Sequence, residues 1–153
     1  MIDNKENNDS EAEYYSIAEH LASTLSTSPH LGSLVRRLNL GTWGHDFETT
    51  TYHIEILRGC PLVEDVKIHG YNGYLLEEYR RVVASLKNLR TLNISSHCLA
   101  DRENGSFING EELLVMLQGF PCLEQLGLLF SGREAALEKY CKKRGIDFYA
   151  DRA

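Results

Sequence analysis

One short pattern, apolar-x-x-apolar-x-apolar, recurs four times along this chain: in VRRLNL (Val35, Leu38, Leu40), VEDVKI (Val63, Val66, Ile68), LRTLNI (Leu89, Leu92, Ile94) and LEQLGL (Leu123, Leu126, Leu128). The steps between the middle positions are 28, 26 and 34 residues, and a shortened fifth copy follows as IDFY at 146–149. Repeats at such a period constrain a fold more than any single motif, because each is one supersecondary unit that cannot bury its apolar face alone. The last three full copies share a leading quartet, CPLV, LKNL and FPCL, whereas in the first the quartet reads as SPHL at 28–31, four residues further upstream.

Each copy has the length of a short strand, and its alternation puts the ladder leucines on one face and the residues between them on the other. The intervals then predict helices. LLEEYRRVVASL carries Leu75, Leu76, Tyr79, Val82, Val83 and Leu86 on one stripe at helical spacing. Three further segments open with a capping residue and a Glu three places on: Ser10 with Glu13, Asn109 with Glu112, and Ser131 with Glu134. Gly145 after KYCKKR is a stop. In TTTYHIEILRG, Tyr52, Ile54 and Ile56 alternate as in a strand, but the register of the neighbouring copies requires a helix.

Strand, loop, helix and loop repeated in this way set each strand parallel to the last. The expected fold is α/β, a solenoid in a short horseshoe arc of four to five strand-loop-helix units with a parallel sheet in sequence order. Leu38, Val66, Leu92 and Leu126 form one buried ladder in it, and Leu40, Ile68, Ile94 and Leu128 a second. A compact doubly wound α/β domain is the alternative, but it calls for longer unbroken apolar strands.

The runs LRGCPLVEDVKIHGYN, LKNLRTLNISSHCL and LQGFPCLEQLGLLFSG resemble leucine-rich repeats of the long, helix-containing type, in particular those of fungal F-box proteins. The resemblance covers about residues 12–153. It implies an intracellular protein–protein interaction module, the arm that holds the substrate of a cullin-type ubiquitin ligase. Two departures stand out. The third position after the last strand leucine, often Asn or Cys in the family, is Trp43, Tyr71, His97 and Ser131 here, and the residues ahead of the repeats in this sequence do not read as an F-box segment.

Of the formal charge of -6, residues 1–13 supply -4, with five acids against Lys5. Residues 1–12 read as a disordered acidic leader and 13–153 as the repeat domain. What remains is close to neutral, which gives no basic footprint for nucleic acid and no cationic amphipathic segment for a membrane surface. No run is long enough to span a bilayer and no signal peptide opens the chain, so the location expected is cytoplasmic or nuclear. Cys60, Cys98, Cys122 and Cys141 lack CxxC spacing and read as mostly buried thiols.

Phosphate-binding, hydrolase-elbow and zinc-protease motifs are missing, and neighbours in SSHC at 95–98 point to opposite sides of an extended chain. We therefore expect no catalytic, cofactor or metal residues, a small α/β hydrolase or transferase being the competing reading. Partner-binding candidates fall in two places. The concave wall offers Arg37, Asp65, Thr91 and Gln125, then Asn39, Lys67, Asn93 and Gly127, with Arg37 and Lys67 the candidates. The rim of strand-exit loops offers Trp43, His45, Phe47, His69, Tyr71, Tyr74, Arg102 and Phe107, since exposed aromatics make good anchors. The partner expected is a protein, and the chain a monomer or part of a larger complex.

Overall fold

A computed structural model of the chain describes residues 5–40, 47–68, 76–95, 110–129 and 135–150, to which every structural statement refers. Eleven elements follow one another: α1 (Lys5–Thr27), α2 (Pro29–Gly32), β1 (Arg37–Leu40), α3 (Phe47–Gly59), β2 (Asp65–Ile68), α4 (Leu76–Ala84), β3 (Thr91–Ser95), α5 (Gly110–Gln118), β4 (Gln125–Leu129), α6 (Ala135–Arg144) and β5 (Asp147–Ala150). The five strands form one sheet in the order β1-β2-β3-β4-β5, every pair parallel. The doubly wound alternative needs a reversal in strand order and cover on both faces. This sheet has no reversal, and Arg37, Lys67, Gln125 and Asp147 stand exposed on one face.

Register follows the repeat. Leu38, Val66, Leu92, Leu126 and Phe148 lie side by side, as do Leu40, Ile68, Ile94, Leu128 and Ala150. The interior rungs Val66, Leu92 and Leu126 are sealed, whereas Leu38 and Phe148 at the two ends are half-buried. Helix residues close over these rungs in one core, including Ile54, Leu57, Tyr79, Val83, Leu113, Leu117, Leu137 and Cys141.

The connections into β2, β3 and β4 are one turn built three times. Cys60, Leu86 and Phe120 donate their N–H groups to Leu57, Val83 and Leu117 at 3.1–3.2 Å, and Cys60 and Leu86 in turn accept from Val63 and Leu89 at 3.3 Å. In the first unit Gly32 accepts from Val35 at 3.2 Å. The first quartet is thus Gly32-Ser33-Leu34-Val35, in step with the others, and not SPHL, whose Pro29 instead opens α2. Gly32 stands where Cys60, Leu86 and Phe120 put side chains into the core, because a β-carbon there would overlap the Gly59 carbonyl oxygen. At the strand starts one carbonyl accepts two amides: Arg36 from Glu64 and Asp65, Glu64 from Arg90 and Thr91, and Arg90 from Glu124 and Gln125.

Of the expected helices, α4 buries Tyr79, Val82 and Val83, with Glu77 and Glu78 in its first turn and Arg81 in its last, as the helix dipole favours. Gly145 ends α6 at φ 70°, a left-handed conformation that glycine adopts at no steric cost. α5 starts directly after Asn109, while the pair Ser131 and Glu134 lies outside the described residues. At the N-terminus the expectation is corrected. α1 runs from Lys5, so Ser10 sits inside it instead of capping it, and helical backbone covers residues 5–12 of the stretch read as a disordered leader. Ala18, Ala22 and Leu25 are buried, and the helix packs along α3, which offsets the polar composition of its first turns.

Candidate partner-binding face

The face of the sheet turned away from the helices is built from residues between the ladder leucines. Register aligns Arg37, Asp65, Thr91, Gln125 and Asp147 in one row and Asn39, Lys67, Asn93, Gly127 and Tyr149 in the next. Arg37 Nε lies 3.6 Å from Asp65 Oδ2. Lys67 stands exposed, flanked in register by Asn39 and Asn93. The candidates Arg37 and Lys67 therefore share this face on neighbouring strands.

The expected rim is a different matter. Trp43, His45, His69, Tyr71, Tyr74, Arg102 and Phe107 lie outside the described residues, and of Phe47 only the backbone, opening α3, is described.

Two features of this side escaped the sequence reading. Tyr149 on β5 lays its ring across Gly127 on β4 and donates its hydroxyl hydrogen to Asn93 Oδ1 on β3. A β-carbon at Gly127 would come within 2.6 Å of two ring carbons of Tyr149, so only glycine leaves room for the ring to lie flat. Tyr149 remains 45% exposed, an aromatic residue held in place from below and at its tip. The signal was available: Tyr149 occupies in the short fifth copy the same position as Asn39, Lys67, Asn93 and Gly127.

At the N-terminal ends of the strands lies a ladder of alternating charge. Arg36 Nε is 3.5 Å from Glu64, Glu64 is 3.8 Å from Arg90 Nε, and Arg90 Nη1 is 3.1 Å from Glu124. Its signature is the second position of the four copies, which reads Arg, Glu, Arg, Glu. These side chains are partly exposed, so each pair contributes at most about 1 kcal/mol, and the ladder cancels its own charge.

Away from the face, α1 and α3 are joined by a polar cluster. Tyr14 Oη lies 3.0 Å from Nε2 of buried His53, and the hydroxyl of Tyr15 donates to Glu48 and lies 3.4 Å from that of Tyr52. The bond to Glu48, above all, pushes the Tyr15 phenol above its ordinary pKa. Burial likewise pushes up the thiols of Cys60 and Cys141. All three shifts disfavour the deprotonated form of their groups.

Among the described residues no group of three or more His, Cys, Asp or Glu is placed to hold a metal ion, and no helix is long and apolar enough to cross a membrane. Comparison of the chain with protein-family models, with curated proteins and with solved structures finds no match.

Proposed function

We propose that this chain is a non-catalytic protein-recognition module that receives its partner across the open face of the sheet. In this reading its units are leucine-rich repeats of the helix-containing kind, and its role is that of a substrate-holding arm like those of F-box proteins in cullin ubiquitin ligases, in the cytoplasm or nucleus. The observation that carries the proposal is the uncovered face itself. Two in-register, mostly polar rows end on Asp147 and Tyr149, and the ring of Tyr149 is fixed by Asn93 and left open to a partner. An ordered aromatic on a rigid sheet loses little entropy on binding, and a polar surround suits an interface that forms and dissolves. The sequence-order sheet supports the repeat assignment, since stacked units with neighbour-only contacts produce it.

The test uses the intact chain immobilised as bait in cell extract, with captured proteins quantified by mass spectrometry. Lys67→Glu and Thr91→Arg alter the open face without touching the core, and Glu55→Arg on the exposed side of α3 is the control. A specific partner is expected to fall by about tenfold or more with each face variant, as loss of a binding hot spot implies, and to be unchanged in the control. A partner retained equally by all three variants places recognition elsewhere and rejects the proposal.

A further inference from the structure

The two ends of the sheet are complementary to each other. Among the described residues β1 pairs only with β2 and β5 only with β4, which leaves one backbone edge open at each end. The row that starts at Arg37 ends at Asp147, and the ladder that starts at half-buried Leu38 ends at half-buried Phe148. Were β1 of a second copy set beside β5 in the same register, its Arg37 would stand opposite Asp147, as Arg37 stands opposite Asp65 within the chain. Its Leu38 would meet Phe148 and its Leu40 would meet Ala150, continuing both apolar ladders.

The helix layer repeats the match. α1 lies at the β1 end and α6 at the β5 end. The described side chains of α1 include Glu13 and Glu19 and neither Lys nor Arg, while α6 exposes Lys139, Lys142, Lys143 and Arg144 against Glu138. On α1, Tyr14 reaches buried His53 while Tyr15 reaches exposed Glu48. Ile17 and Leu21 continue round the helix from Tyr14, on the side away from Tyr15, and remain 58% and 38% exposed.

We infer that copies of this chain associate head to tail, the β5 edge of one pairing in parallel with the β1 edge of the next. Charge selects this arrangement over a two-fold dimer. Joining β1 to β1 would bring acidic α1 against acidic α1, and joining β5 to β5 would set basic α6 against basic α6. Only unlike ends bring opposite charges together in both layers. Such a contact is heterologous, so it adds copies one after another, in an open row or, where the rotation closes, in a ring. Unpaired strand edges are ready templates for such addition.

Light scattering on the eluting intact chain, over a range of loading concentrations and ionic strengths, tests the inference. The mass is expected to rise with concentration and to fall as salt is added. Arg37→Asp and Asp147→Arg should each weaken association by about tenfold or more, since each sets like charges at the junction. An equal mixture of the two variants, or both changes in one chain, exchanges the charges across the junction and should restore it. Restoration also shows that both variants are folded. A protein that stays monomeric at every concentration overturns the inference, as does association indifferent to the single changes or not recovered in the mixture.

Discussion

The same substitution, glycine to alanine, should have opposite consequences at Gly32 and Gly127, and the difference can be worked out from what surrounds each. At Gly32 the obstacle is backbone: a new β-carbon would overlap the carbonyl oxygen of Gly59 and stand 2.8 Å from its carbon. Carbon–carbon contacts settle near 3.5 Å, so α2 and the end of α3 must part by roughly 0.7 Å for the carbon alone. No side-chain rotation relieves this. Overpacking of that kind costs about 1–3 kcal/mol, with the upper part of the range appropriate to main chain against main chain. The unfolded chain's lost freedom returns about 0.4–1 kcal/mol, for a net loss of about 2 kcal/mol. For a domain of this size that is a melting point lower by roughly 4–8 °C. At Gly127 the obstacles are the ends of side chains, Asn93 Oδ1 and the Tyr149 ring, and both can swing toward solvent. The cost is one exposed hydrogen bond, about 0.5–1.5 kcal/mol, against a gain of about 0.5–1 kcal/mol for removing glycine from a strand. Stability should stay within about 1 kcal/mol of the parent, while the tyrosine emission changes as the ring of Tyr149 is released. Thermal and urea unfolding followed by circular dichroism would give both numbers. If Gly32→Ala melts no lower than Gly127→Ala, the close approach of α2 to α3 is wrong and so is the register assigned to the first unit.

Leu92→Ala, at the sealed centre of the ladder, should cost about 2–5 kcal/mol in urea unfolding, whereas Asn93→Ala, one residue along on the open face, should cost no more than about 1.5 kcal/mol, the bond from Tyr149. Equal costs would mean the two faces are misassigned. Among the described cysteines only Cys122 is exposed, so a thiol reagent applied to the native protein should label it before Cys60 and Cys141, which react only on unfolding; early modification of either buried thiol, read by peptide mapping, contradicts their packing. A double-mutant cycle on Arg90 and Glu124 should return about 0.2–1 kcal/mol at low ionic strength and less in molar salt, and a coupling unaffected by salt would show that the charge ladder is not electrostatic in origin.

The strand ladders could be read directly because alternation in a half-buried strand is a rule with a period of two, and Val66, Leu92 and Leu126 obey it. α3 was reached only through the register of its neighbours, and the structure shows why. It packs against α1 and α4 as well as over the sheet, so Thr49, Thr50 and His53 are buried with Ile54, Ile56 and Leu57. Three polar members of the buried stripe are invisible to a count of apolar residues, and Tyr52, Ile54 and Ile56 then mimic a strand. The first quartet was misplaced for a related reason: Gly32 does the work of a core residue by having no side chain. Ser10 with Glu13 pointed to the helix of α1, but its start at Lys5 was hidden by composition, because a helix that docks through Ala18, Ala22 and Leu25 needs few apolar residues. On the open face Arg37 and Lys67 followed from alternation, whereas Tyr149 required the short fifth copy to be aligned residue by residue with the others.

A sheet whose order in space is its order in the chain finds every strand pairing between successive strands. Formation of such a molecule has no distant meeting to wait for: an interior pair of units can assemble first and each flank then add to a surface already made. Loss runs the other way. β1 and β5 each have one neighbour where β2, β3 and β4 have two, so the outermost amides open by fraying while the centre is intact, and unfolding is graded before it becomes cooperative. The ends of the row are thus both the last parts to become fixed and the first to be released.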